Sequence, residues 1–582
     1  MALAGAWLAL VFLPHEVTDY LGGRGATLGK VALTLVGIVA VASLCKVRQL
    51  ARRGGETLVA GLGAIALDDQ AEFETRQLRN VVEEMALAAG VPVPRLYLLP
   101  DEPAINAFIS GYGPADATLC LTRGALERLT RDELQGVVAH EFSHLLNGDM
   151  RLNLRLVGWL HGISLVADIG RELLSGRAST SGRVGGNSLL GYGLGTALLV
   201  IGGCGLFFAS LIQAAAARSR ERLADASAVQ FTRYPQGLAA ALKKIAAHPL
   251  QGRLYHPQAR SVAHMVLGDA GASWFATHPP VLERIQLLEE GFDAIQLARL
   301  RREALIPQGT AYVAGLPPPR STPVKAAETP VVIPSLAAAA ACLASLPDAL
   351  SLAAHEPASA RDLLLLLADA GPGPAPLAAV VAGLHPAQRL PLVQLTFPAL
   401  RRLPREQLRT LVLQLKAVLE PRATADLSSY CLARLIQRQL LASLAPARRC
   451  VPRRLRLGQG EATLVAFYAL IAERCHDSPA AARQAFLLAV AEALPGRHHP
   501  YQPPLAWRPA LQQGLALFER LVPAAREPVL AGLLAAIAAD GSLRLVELEL
   551  LHLSCALLEL PLPTALPGWS SPVTRRSAGE DA

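Results

Sequence analysis

Apolar residues are grouped along this chain in runs of three kinds, and each kind predicts a different element. The first kind is long and nearly free of charge. Residues 1–13 and 31–45 lie near the start, the second followed at once by Lys46, Arg48, Arg52 and Arg53, and Ser188 to Ala217 contains no charged residue. About 20 apolar residues cross a bilayer, so these runs predict membrane spans. Leu156 to Ala167 is shorter and broken by His161; by length alone it reads as a buried helix.

The second kind recurs at helical spacing. Leu78, Val81, Val82, Met85 and Ala89 mark a packing helix from Gln70 to Ala89, ended by Gly90 and Pro92. Thr130 to Glu133 reads as a capping box opening a helix with Leu134, Val137, Val138, Phe142 and Leu145 on its apolar side and a stop at Asn147-Gly148. Further helices are expected through Asp225 to near Arg233, from Leu238 to Ala247 after the break at Pro235, and from Val281 to about Glu290, where Arg284 can face a site. The third kind is short and bounded by Pro or Gly: Arg95 to Leu99, Ile105 to Ile109 and Thr118 to Thr122 predict strands of a small sheet. Residues 307–334, including Pro317-Pro318-Pro319, lack periodicity and read as a linker. Beyond it, helical patterns recur over 361–370, 405–420, 424–444, 460–475, 479–494, 508–521, 524–538 and 543–559 without a fixed period.

The chemistry is concentrated in His140-Glu141-Phe142-Ser143-His144. Imidazoles four apart share one helix face and can hold one zinc ion, with Glu141 beside them to take a proton from a metal-bound water. A catalytic zinc needs a third protein ligand. Glu221 and Asp225 are again four apart, which suits Glu221 as that ligand and Asp225 as the partner of a zinc-bound His; a solvated, charged helix start is the alternative. An exposed edge strand can bind a substrate backbone by strand addition, with Asn106 the candidate contact and a turn-forming Asn the other reading.

Ile105-Asn106-Ala107-Phe108, Thr122 to Ala125, His140 to His144, Asn147-Gly148-Asp149, Ser219 to Asp225 and Thr277-His278-Pro279-Pro280 occur in the order seen in HtpX-like membrane zinc metallopeptidases, relatives of the CAAX prenyl proteases. The resemblance covers residues 56–292. It implies that His140, His144 and Glu221 are zinc ligands and that Glu141 is the general base. His278 lies in a motif that the family keeps near its active site. There it can hydrogen-bond the oxyanion, plug the open zinc position or merely cap the following helix. The final helices, with Asp540-Gly541, Glu547 and Glu549, resemble a TerB-type helical domain, a likeness that carries no activity.

Composition changes this picture in one direction. With 52% hydrophobic and only 18% charged residues in a chain of 582, a membrane protein is implied. The net charge of +8 suits basic patches against anionic lipid, and no nucleic-acid partner is expected. The eight cysteines form no CxxC pair, and they read as free thiols in a reducing compartment. The basic residues after Cys45 place that end in the cytoplasm. Because His140 and Glu221 must meet at one ion, the chain between them crosses the membrane an even number of times. Residues 156–167 are thus the partner of the 188–217 span, or both form a surface hairpin.

The predicted fold is mainly α: a zincin-type metallopeptidase domain with a small β-sheet, membrane-spanning helices and a separate C-terminal α-helical domain. The expected boundaries are 1–55 for the first membrane segments, 56–153 and 218–300 for the two parts of the peptidase and 154–217 for a membrane hairpin. The linker is 301–334, the helical domain 335–567 and the tail 568–582. The expected function is that of an integral-membrane zinc endopeptidase with one Zn2+ per chain, acting on protein or peptide substrates in membrane-protein quality control. It would be a multi-pass protein of the bacterial inner membrane, with its site on the cytoplasmic side. Its partners would be membrane lipid and, through the helical domain or the basic cluster at Arg448, Arg449, Arg453, Arg454 and Arg456, another protein. A non-catalytic membrane scaffold and a prenyl-CAAX protease are the competing readings. Since the linker separates a complete ligand set from the helical half, truncation after about Arg302 is expected to retain zinc and some activity on an unfolded substrate.

Overall fold

The computed structural model describes residues 24–67, 73–175, 188–250, 252–256, 265–267, 279–305, 335–420, 426–445, 455–540 and 543–563. His278, the expected first span at 1–13, residues 307–334, four arginines of the basic cluster and the tail lie outside them. The chain forms two compact units, Met1–Leu78 with Arg95–Pro307, and Arg79–Pro94 with Gln308–Ala582.

The first unit begins with α1 (Arg24–Arg53), α2 (Glu56–Gly61) and β1 (Ile65–Ala66). It contains the start of α3 (Phe73–Ala89) and continues with β2 (Arg95–Leu99), β3 (Ala107–Ser110) and β4 (Thr118–Thr122). The sheet order is β1-β2-β4-β3, with β2 parallel to β4 and the outer pairs antiparallel. β3 is therefore an edge strand. The three predicted strands are present; β1, two residues long, carries no readable alternation.

After α4 (Arg123–Arg128), α5 (Arg131–Asn147) opens with the predicted capping box: the Thr130 hydroxyl accepts from the Glu133 N–H at 3.4 Å, and the Glu133 carboxylate accepts from the Thr130 N–H at 2.7 Å. Gly148, at φ 74°, ends it in a left-handed turn, and α6 (Asp149–Ser175) starts at the next residue. α7 (Ser188–Thr232) is one continuous helix of 45 residues, about 68 Å long. The expected membrane run and the charged segment bearing Glu221 are thus a single rod, because no Gly-Pro break separates them. α8 (Pro235–Ala247), α9 (Val281–Leu288) and α10 (Ala294–Leu305) complete the unit. The linker boundary expected at 301 falls inside α10.

α1, α6 and α7 pack through small residues. Gly158 faces Val47, Gly162 faces Ser43, Gly170 meets Leu199 and Gly202 meets Ala167. The Ser43 hydroxyl donates to the Trp159 carbonyl at 3.0 Å. As numbers rise along one helix they fall along its neighbour, so both pairs are antiparallel, and backbones approach closely as membrane helices do. Leu33, Val36, Val41, Trp159 and Phe208 remain exposed on the outside. Among the described residues one continuous helical stretch, Leu33–Leu50, is long and apolar enough to cross a membrane; Tyr192–Phe208 is a shorter apolar stretch.

The second unit is helical: α11 (Leu336–Ala344), α12 (Asp348–His355), α13 (Pro357–Leu367), α14 (Ala375–Ala382), α15 (Arg389–Leu400), α16 (Arg405–Val418), α17 (Leu427–Leu444), α18 (Glu461–Cys475), α19 (Pro479–Ala493), α20 (Trp507–Arg520), α21 (Arg526–Ile537) and α22 (Leu545–Leu558). The last four and α13, α16, α17 and α18 follow the predicted patterns. α15 escaped them because Pro391 and Pro398 interrupt its sequence, and α11 because an alanine run has no polar face. The unit also takes in the second half of α3 and the turn after it: the Val93 N–H donates to the Gln394 carbonyl at 3.2 Å, and His355 Nε2 lies 2.7 Å from Glu83. Residues 335–567 are therefore not a domain by themselves. The seven described cysteines are free thiols.

Candidate metal centre

α5 presents His140 and His144 one turn apart, and α7 presents Glu221 to both. The two Nε2 atoms are 3.2 Å apart, and the Glu221 carboxylate lies 3.5 Å from His140 Nε2 and 3.3 Å from His144 Nε2. Among the described residues these three form the one group of His, Cys, Asp or Glu able to hold a metal ion, with ligand atoms within 4.8 Å of one another.

The other nitrogen of each ring faces a carboxylate. His140 Nδ1 is 2.9 Å from Asp225, and His144 Nδ1 is 2.9 Å from Asp149. Such a carboxylate keeps the proton on Nδ1 and turns the Nε2 lone pair toward the centre. Each carboxylate is in turn held by an arginine. Arg284, fully buried, forks Asp225 with bonds of 2.8 and 2.7 Å and donates to the Leu267 carbonyl at 2.9 Å; Arg220 pairs with Asp149. Asp225 thus lies against His140, and Arg284 against Asp225 and Glu221. The Asp149 and Arg220 arm was missed; its one signal was an acid directly after the Gly148 turn, five residues from His144.

Burial on its own would raise the Asp225 pKa, but Arg284 and His140 outweigh it and hold the carboxyl at about 2. Burial likewise disfavours the charged imidazoles, yet Asp149 and Glu221 push His144 up to about 10, and Asp225 and Glu221 raise His140. The pocket therefore attracts positive charge. Glu141 sits next to the pair, 1% exposed, its carboxylate facing the backbone N–H of Ile109. Burial pushes it up to about 7, against the pull of the two imidazoles.

Asn106 is not at the open edge. It is 1% exposed, and its amide donates to the Gly252 carbonyl at 2.6 Å while its oxygen accepts from the Ala107 and Leu267 N–H groups, each at 2.8 Å. Its side-chain bonds are thus made internally, to Gly252, Ala107 and Leu267.

Residues 72–291 match peptidase family M48. The chain is 36% identical over 222 residues to a protease HtpX homolog of Ligilactobacillus salivarius, covering 38% of this chain and 74% of that one. It is 37% identical over 213 residues to the homolog of Dictyoglomus turgidum, covering 36% and 68%, and 37% identical over 235 residues to that of Caldanaerobacter subterraneus subsp. tengcongensis, covering 40% and 76%. The crystal structure of S. mikatae Ste24p aligns over 49% of this chain and 63% of that one at 20% identity and a TM-score of 0.29, too low to bear on the reading. With the extent of that identity and three residues able to hold a metal ion inside the matched span, the chain belongs to peptidase family M48 and is a metallopeptidase.

Proposed function

We propose that the chain is an integral-membrane zinc endopeptidase acting in the quality control of membrane proteins, with His140, His144 and Glu221 as zinc ligands and Glu141 as general base. One observation carries this reading. Donors about 2.0–2.1 Å from a tetrahedral zinc stand about 3.3 Å from each other. The two imidazole Nε2 atoms are 3.2 Å apart, and the Glu221 carboxylate turns one oxygen to each, Oε2 at 3.5 Å from His140 and Oε1 at 3.3 Å from His144.

Zinc bound there supplies a Lewis acid that polarises the scissile carbonyl and makes water acidic enough to attack it. The rest belongs to the chain. Glu141, buried beside the pair and with its pKa near neutrality, takes the proton of the attacking water and delivers it to the leaving amine. Asp225 and Asp149 hold the imidazoles in place through that charge movement. The edge strand receives the peptide: the Asn106 carbonyl accepts from the Thr122 N–H inside the sheet, whereas the Ala107 carbonyl points outward to Leu267. Alternation then turns the N–H and C=O of Ile109 outward too, on the wall of the pocket that contains Glu141.

The membrane part of the reading is supported by α7, which carries both the apolar stretch ending at Phe208 and Glu221, 13 residues or about 20 Å farther along the same rod. The antiparallel pairing of α6 with α7 returns the chain to its starting side, as an even number of crossings requires. Reporter fusions at Gly61 and Tyr234 are expected to signal cytoplasm and one at Gly182 the opposite side. A cytoplasmic signal at Gly182 would replace the two spans by a surface hairpin.

The full-length protein, purified in detergent, is expected to hold about one zinc per chain and to cleave a casein-type substrate. Chelation should abolish cleavage and zinc restore it, while His140→Ala and Glu221→Ala lose the metal. Cleavage that survives chelation, or a wild-type protein that binds no zinc, refutes the assignment.

A further inference from the structure

We propose that Asn153 is a substrate-positioning residue: its side-chain amide holds a backbone peptide group of the bound substrate next to the scissile bond. This rests on the peptidase reading above but concerns a residue that takes no part in holding the metal. Asn153 stands four residues after Asp149 on α6, so the two share a helix face, and both line the pocket that contains Glu141, His144 and Arg220.

The other polar side chains of that lining are committed. His144 and Glu221 converge on the metal centre, Asp149 and Arg220 pair with each other behind His144, and Glu141 is the base. The Asn153 side chain is half-buried and has no hydrogen-bond partner among the described residues. Its nearest helical neighbours do not explain it: Leu154 and Val157, which follow, belong to an apolar core. A carboxamide facing a reactive pocket without a partner among the described residues is a group that can take one from a ligand.

The geometry of strand addition says what that partner is. A peptide joining β3 as a further strand presents its N–H and C=O groups alternately to the strand and away from it. The groups directed away face the rest of the lining, drawn from α5, α6 and α7, and closing the groove removes their water. A peptide group needs an acceptor for its N–H and a donor for its C=O. Asn supplies both, whereas Arg or Lys supplies donors alone and a carboxylate acceptors alone, with a negative charge added beside Glu141. Ile109 on one wall and Asn153 on the other elements thus read the same backbone without reading its side chains, which suits an enzyme with many substrate sequences.

The test uses the full-length, zinc-loaded protein and a fluorogenic casein-type peptide. Asn153→Ala is expected to raise KM about tenfold with kcat within about twofold and zinc content unchanged, the pattern of a lost ground-state contact. In the Glu141→Gln background the Kd of the uncleaved fluorescent peptide should rise by the same factor. Asn153→Asp, without the donor, should bind as poorly as the Ala variant, and Asn153→Ser, which keeps one donor, should recover part of the affinity. Unchanged KM and Kd in Asn153→Ala overturns the proposal. So does a fall in kcat at constant KM, which would place the amide on the transition state, and so does loss of zinc, which would make it part of the metal support. A wild-type protein without zinc-dependent cleavage overturns the parent reading, and this inference with it.

Discussion

Glu141→Gln is expected to lower peptide hydrolysis by about 10³-fold or more while the protein keeps its zinc. General acid–base groups contribute on the order of 10²–10⁴ in rate, and here one carboxylate handles the proton in both directions. Glu141 is close to the proposed ligands without being one of them: the group able to hold a metal ion is made of His140, His144 and Glu221. The change removes a basic oxygen and keeps the volume, so packing against the α5 surroundings is retained. Metal analysis and turnover on the same preparation decide the matter. Residual hydrolysis within tenfold of wild type, chelator-sensitive and with zinc intact, would show that another group takes the proton.

Removing the chain after Arg302 has the second large effect, and it is opposite to what the linker suggested. The back half of α3 and the turn to β2 are counted with the helical unit. Val93 gives its N–H to Gln394, Glu83 is paired with His355, and Gly90, at φ +67°, has Leu562 and His552 where a β-carbon would stand. Truncation deletes all four partners and leaves Glu83 and the Val93 N–H to solvent at the edge of a helix whose Val81, Val82, Met85 and Ala86 are fully buried in the intact chain. Exposing even two such side chains costs about 3–6 kcal/mol, a large part of the ~5–15 kcal/mol that holds a typical protein folded. The truncated protein should therefore aggregate or melt without a cooperative transition. Gly90→Val in the full chain is the milder form, costing at least about 1–2 kcal/mol from the left-handed backbone alone. A truncated chain that elutes as a monodisperse species, melts near the full-length temperature and retains zinc would show that the helical half is dispensable.

These outcomes also separate what was legible along the chain from what was not. The sequence by itself determined the elements and the first rank of the site. The capping box at Thr130 and Glu133, the stop at Gly148, the strands at 95–99 and 118–122 and most helices of the second unit depend on neighbours within a turn or two, and local spacing records such interactions directly. His140 and His144 could be paired for the same reason, since four residues on a helix bring two side chains to one point. Tertiary structure decided everything that depends on approach between distant segments. The internal partners of Asn106, Gly252 and Leu267, lie about 150 residues away and nothing local marks them. The Asp149 and Arg220 arm and the Arg284 fork on Asp225 join residues 71 and 59 positions apart. Asn153 gains its meaning only when α6 folds back along α7 and leaves its amide in the pocket. The claim of the helical half on α3 was invisible for the same physical reason: one apolar stripe reads alike whichever surface covers it, because hydrophobic burial has no direction along the chain.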